Sequence, residues 1–123
     1  MSMQKISKTY TLNAASNVIF DALVNPDTIQ KWSGAPAQME TTAGSDFSLF
    51  GGQVTGKTLE VVNGKKLVQQ WPSNTKVTIA LSANGDATTV DLLHENIPED
   101  EVEKFTQGWN EFYFGRMEKM FNG

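Results

Sequence analysis

Along residues 4 to 12, Ile6, Tyr10 and Leu12 share one parity while Lys5, Ser7, Thr9 and Thr11 take the other, the alternation of a strand with one buried face. The period then changes. From Asn13 the positions Ala15, Val18, Ile19, Ala22 and Leu23 fall on one side of a helix, with Asn13 available as its cap and an end near Asn25. Asn25-Pro26-Asp27 starts a second short helix over residues 26 to 32, because it joins a capping side chain to a proline at the first helical position. Residues 33 to 37 form the loop that ends it.

Beyond this loop the punctuation is that of hairpins. Gly51-Gly52, Asn63-Gly64 and Asn84-Gly85 each lie between strand-forming segments, and tight antiparallel turns need residues that tolerate positive φ. Strands are predicted at residues 37 to 42, 46 to 50, 53 to 62, 65 to 71, 75 to 82 and 87 to 95. The clearest alternations are Val77, Ile79, Leu81 and Val90, Leu92, His94. Within 53 to 62, Val54 has one parity and Leu59 with Val61 the other, which predicts a bulge near Gly56. A last helix begins at Pro98, where Glu99, Asp100, Glu101 and Glu103 oppose the positive end of its dipole. Val102, Phe105, Trp109, Phe112, Tyr113, Arg116, Met117 and Met120 carry it to about residue 121 at helical spacing.

This context decides the one nucleotide-like motif. GGQVTGKT, residues 51 to 58, satisfies the G-x-x-x-x-G-K-[ST] phosphate-loop pattern. A working phosphate loop follows a buried parallel strand and opens into a helix whose amides hold the phosphates. Here Lys57-Thr58 runs into the strand-forming LEVV and then the Asn63-Gly64 turn, so the glycines belong to a hairpin and a bulge.

The chain has 123 residues, which sets the expectation of a single domain, 1–123. Net charge is -4, and five acids lie between Glu95 and Glu103 with no base among them, so nucleic acid is not an expected partner. The absence of cysteine excludes disulfides, thiolate metal sites and a cysteine nucleophile. No run approaches the roughly 18 apolar residues of a membrane span, and MSMQKISKTY has no signal-peptide core, so no membrane partner is expected and a cytoplasmic protein is the simplest reading.

The order strand, two short helices, antiparallel strands, long C-terminal helix is that of an α+β fold in which a curved sheet wraps around the last helix. The segments FSLFGGQVTGKTLEVVNGKKLVQQW, VTIAL and IPEDEVEKFTQGWNEFYFGRMEKMF, with VIFDALVNPDTIQKW near the start, resemble the C-terminal domain of the activator of the heat-shock protein 90 ATPase. That family is a branch of the START-like, birch-pollen-allergen-like (SRPBCC) superfamily. The most specific features are Gly56, Gly64 and Trp71 at their mutual spacing, and Gly108-Trp109 followed by Tyr113 and Phe114. The resemblance implies the helix-grip fold, a heat-shock protein 90-type chaperone as partner, and a non-enzymatic role. Two departures stand out. Pro72-Ser73-Asn74 shortens a connection that is commonly longer in the family, and the eukaryotic activator's separate N-terminal domain, which makes much of the chaperone contact, has no counterpart in this sequence.

The residues themselves offer little catalytic chemistry. His94 is the only histidine and shares parity with Val90 and Leu92, as a hydrogen-bonded wall residue would. No acid or base partner for it is visible, and no catalytic residue, metal ligand set or cofactor motif is assigned. Ser7, Ser16 and Ser48 lack any nucleophile-elbow context. Lys57, Lys65, Lys66 and Lys76 fit an edge-protecting strip better than a binding strip.

The aromatic set has two readings. Trp32, Phe47, Leu49, Trp71, Ile79, Leu92, Trp109, Phe112, Tyr113 and Met117, with His94 as a polar group, fit a plain core. They also fit the walls of the ligand cavity that the helix-grip fold implies between sheet and C-terminal helix, which would take a small apolar ligand. Three functions follow: a binding domain for an apolar small molecule or for a chaperone or client, an interaction module with a filled core, or an enzyme resembling the superfamily's polyketide cyclases and aromatases. The shortage of paired titratable groups weighs against the third.

Overall fold

A computed structural model describes residues 3–122. The chain forms β1 (Met3–Leu12), α1 (Ser16–Val24), α2 (Pro26–Ser33), β2 (Asp46–Leu49), β3 (Val54–Val62), β4 (Lys66–Trp71), β5 (Thr75–Asn84) and β6 (Ala87–Pro98), and ends in a long helix. The strands make one antiparallel sheet in the order β1-β6-β5-β4-β3-β2. The sheet curves around the C-terminal helix, the helix-grip arrangement.

The strongest sequence signals lie where they were expected. Val77, Ile79 and Leu81 of β5 and Val90, Leu92 and His94 of β6 are buried on one face, paired in the register Val77 to His94, Ile79 to Leu92 and Leu81 to Val90. Asn25 caps α2 by accepting from the Asp27 amide at 3.0 Å, and Pro26 occupies the first helical turn. The Nε1–H of Trp32 donates to the Ala22 carbonyl at 2.8 Å, which fixes α2 against α1.

Several expectations need correction. Residues 37 to 42 are not a strand: only Gln38 pairs, with Ser48, and Gly44 turns at φ 89°. This stretch offers only Met39 as a large apolar side chain, too little to hold a strand on the core. Next, α1 begins at Ser16 with Ala15 at its cap position, and Asn13 instead donates its amide to Asn122 Oδ1 at 2.8 Å. On that helix Phe20 is buried and Val18 is 43% exposed.

The bulge is also displaced. The β3–β4 register shifts between Thr58 and Glu60, which turns Leu59 outward and leaves Thr58 and Val61 facing inward. Gly56 answers a different need, since a Cβ there would sit 1.9 Å from the Gln70 carbonyl oxygen on β4. Finally, the four lysines lie on β3 and β5 and on or beside β4, all interior strands, so they protect no edge. Lys57 pairs with Asp46 at 2.7 Å and Lys66 with Glu60 at 3.1 Å, both near solvent.

The C-terminal helix is composite. A 3-10 turn, Glu99–Glu101, leads into α3 (Val102–Gln107), a π-helical segment (Gly108–Tyr113) and α4 (Phe114–Asn122). A π turn accommodates one extra residue, so the inward stripe is rephased and Trp109, Tyr113, Phe114 and Met117 are all buried. Phe112 and Met120, which simple helical spacing put on that stripe, are 44% and 42% exposed. Gly115 permits the π geometry, because a Cβ there would lie 2.0 Å from the Asn110 carbonyl oxygen. The helix is tied to β1 at both its middle and its end: Tyr10 donates to Asn110 Oδ1 at 2.9 Å and stacks on Phe114, while Asn122 Nδ2 donates to the Thr11 carbonyl at 2.9 Å.

Candidate functional site

The space directly between sheet and helix is occupied by side chains. Phe47, Leu49, Ile79, Leu92 and Met117 are each at most 2% exposed and belong to the core. Trp32 is buried beside Tyr113, with ring centroids 4.8 Å apart.

Open space lies to one side of this core. A cleft of about 610 Å³ is bounded by the end of α2 (Ser33, Gly34, Ala35), the turn into β3 (Phe50, Gln53, Val54), Trp71 at the end of β4, and the helix from Lys104 to Arg116. Of the residues expected to wall a cavity, Trp71, Trp109, Phe112 and Tyr113 line it, whereas Trp32, Phe47, Leu49, Ile79, Leu92, His94 and Met117 do not.

The walls are rigid for identifiable reasons. Trp71 and Trp109 pack at 4.6 Å between centroids and Trp109 and Tyr113 at 4.7 Å, close aromatic contacts that favour tilted and edge geometries. The Nε1–H of Trp71 donates to Gln69 Oε1 at 3.0 Å, and Gln69 Nε2 rests 3.3 Å from the Met39 sulfur. Arg116 lies over the Phe112 ring at 5.1 Å and donates through Nη1 to the Ser33 carbonyl, joining the helix to the end of α2.

His94 stands behind the cleft wall, fully buried, with both ring nitrogens engaged. Trp109 donates its Nε1–H to His94 Nδ1 at 3.0 Å, so Nδ1 carries no proton and Nε2 must. Nε2 then donates to Thr75 Oγ1 at 2.8 Å, and the Thr75 hydroxyl in turn donates a hydrogen bond to the Pro72 carbonyl at 2.9 Å. This chain of donors is complete only with a neutral imidazole. Burial lowers the pKa of His94 to about 4, and a proton on Nδ1 would also face the Trp109 N–H.

Two tyrosines are shifted upward. Burial, with a smaller contribution from Glu118, raises Tyr10 to about 12, and burial holds the Tyr113 phenol protonated far above its ordinary range. The Tyr113 hydroxyl is the buried side-chain polar atom without a hydrogen-bond partner among the described residues.

Other chemistry finds no geometric support. Gly51-Gly52 lies in a 3-10 turn and Lys57 in a strand, so the residues of the phosphate-loop pattern open no helix. Among the described residues no three His, Asp or Glu side chains gather as a metal set, and no helix is long and apolar enough to cross a membrane.

The sequence reading missed part of the cleft. Phe105 and Arg116 lay on the helical period of Trp109 and Phe112, and that spacing could have placed them on its wall. The contributions of Ser33, Gly34 and Ala35 at the end of α2 and of Phe50, Gln53 and Val54 at the turn into β3 come from segments that only the folded chain brings together.

Comparison with known proteins places this arrangement. Residues 13–122 match the model of the family described as Activator of Hsp90 ATPase homolog 1-like protein. The chain is 30% identical over 111 residues to the activator of 90 kDa heat shock protein ATPase homolog of Dictyostelium discoideum, covering 84% of this chain and 29% of that protein. It is 27% identical over 125 residues to the human activator of 90 kDa heat shock protein ATPase homolog 1, covering 95% of this chain and 37% of that protein. The chain therefore spans about a third of the length of these curated relatives. A solved heat-shock protein 90 activator from Plasmodium falciparum has the same fold, with a TM-score of 0.87, 24% identity and 94% of each chain covered. The match covers nearly the whole helix-grip unit, and the chain belongs to the family of activator of Hsp90 ATPase homolog 1-like proteins.

Proposed function

We propose that the chain is a non-enzymatic binding domain whose partner is a heat-shock protein 90-type chaperone and whose binding raises that chaperone's ATP turnover. The observation that carries this reading is the family match over residues 13–122, which includes the composite helix and the cleft beside it. The local chemistry supports binding over catalysis. General acid or base work needs a titratable group within reach of a reacting atom and a partner to tune it. His94 has both nitrogens engaged by the protein, and the cleft lining contains Lys104 and Arg116 but no carboxylate. A cyclase-like reaction would lack its acid and base pair.

Titration of the chain onto an immobilised bacterial-type heat-shock protein 90 tests the proposal. Saturable binding is expected, and the absence of binding at the highest attainable concentration would overturn it.

A second reading is favoured by the cleft itself, which holds a small apolar ligand in this account. Its volume of about 610 Å³ is within the range of small-molecule sites, and its walls include six aromatic side chains. Native mass spectrometry of protein purified from its source should show a retained small molecule, and only the apo mass would count against this reading.

A further inference from the structure

The charge of the cleft runs opposite to that of the molecule. Asp and Glu outnumber Lys and Arg by 14 to 10 in the chain, yet the cleft is lined by Lys104 and Arg116 and by no acid. Arg116 forms no ion pair among the described residues. Its guanidinium uses Nη1 on the Ser33 carbonyl and lies against Phe112, which leaves further N–H groups of the fork without an acceptor among the described residues.

We infer that the cleft selects a small amphipathic carboxylate, with its apolar body against Trp71, Trp109 and Phe112 and its anionic head at the Arg116 end. This rests on the reading of the cleft as a small-ligand site and adds its chemical class. A planar guanidinium fork matches a carboxylate in two parallel hydrogen bonds, which an alcohol or an alkane cannot reproduce. Lys104 is twelve residues from Arg116 and therefore about 18 Å away along the helix axis, so it marks the opposite end of the cleft and does not share the head group.

The test compares dodecanoate with dodecanol, which share a chain length and differ in the head, by calorimetry below their aggregation limits. Dodecanoate should bind at least about tenfold more tightly than dodecanol to the unaltered protein. Arg116→Gln should remove that preference, lowering dodecanoate affinity at least about tenfold more than dodecanol affinity, and continued dodecanol binding shows that the cleft persists. Lys104→Gln should leave the preference in place. If the glutamine variant does not fold, Arg116→Met, which keeps the stem over Phe112, replaces it.

Equal affinities in the unaltered protein, or a preference that survives loss of the guanidinium, would overturn the inference and leave the apolar-ligand reading standing. Binding of neither compound would overturn both. Binding of an aspartate-rich amphipathic peptide in place of dodecanoate would overturn the inference in favour of a protein occupant.

Discussion

Trp109 on the π-helical segment donates its indole N–H to His94 Nδ1 on β6 at 3.0 Å, and this bond fixes the protonation state of the only histidine in the chain. The consequence is a pH dependence with a definite sign. His94 takes up a proton near pH 6.5 when unfolded and near pH 4 when folded, so the unfolded chain binds more protons between these values. Stability contributed by the neutral ring is therefore complete above about pH 6.5 and lost as pH falls toward 4. Relative to His94→Gln, the unaltered protein should lose about 2 kcal/mol of unfolding free energy between about pH 7 and pH 5, read from urea midpoints. Parallel pH profiles for the two proteins would contradict the neutral, buried assignment.

Trp109 is 2% exposed and contacts Trp71, Tyr113, Phe114 and His94. Truncating it leaves a large void and an unpartnered imidazole nitrogen. Trp109→Ala should cost about 3 to 5 kcal/mol by chemical denaturation. A loss below about 1 kcal/mol would mean that the helix relaxes into the space.

The two glycines of the composite helix should behave oppositely. Gly115→Ala forces a Cβ onto the Asn110 carbonyl and should cost about 1 to 3 kcal/mol, with a change in the near-ultraviolet circular dichroism of Trp109 and Tyr113 as the π turn rearranges. At Gly108 a Cβ meets nothing within 4 Å and the backbone is already helical, so Gly108→Ala should be neutral or stabilise by about 0.4 to 1 kcal/mol. Equal effects at the two sites would refute the steric account of the π turn.

A large side chain at Ile79 separates the filled core from the open cleft. Ile79 is fully buried and does not line the cleft. Ile79→Trp should therefore destabilise the fold by about 1 to 3 kcal/mol while the remaining folded protein binds an apolar fluorescent probe as before. Weaker probe binding with unchanged stability would mean that the ligand space reaches under the sheet.

These residues also show what the sequence made legible. The parity of Val77, Ile79, Leu81, Val90, Leu92 and His94 revealed two central strands and the inward face of His94, because a strand with one wet face must alternate. Asn25-Pro26 marked a helix start through local chemistry alone. The π turn was not readable, since inserting one residue into a helical period leaves no distinctive residue type, and its rephasing exchanged Phe112 for Phe114 in the core. The bulge could be inferred from the parity change between Val54 and Val61, but the steric demand at Gly56 and the register shift at Leu59 were separate facts merged into one. The aromatic character of the site was visible in Trp71, Trp109, Phe112 and Tyr113. Its position was not, because part of its rim comes from the end of α2 and the turn into β3, which are distant in sequence.

Steady-state ATP turnover of a bacterial-type heat-shock protein 90, followed while this chain is added to saturation, tests the proposed role most directly. The account predicts a rise in turnover that saturates with binding, while the chain alone hydrolyses no ATP and Lys57→Ala changes neither result. Unchanged turnover at saturating chain would contradict the chaperone-activating role.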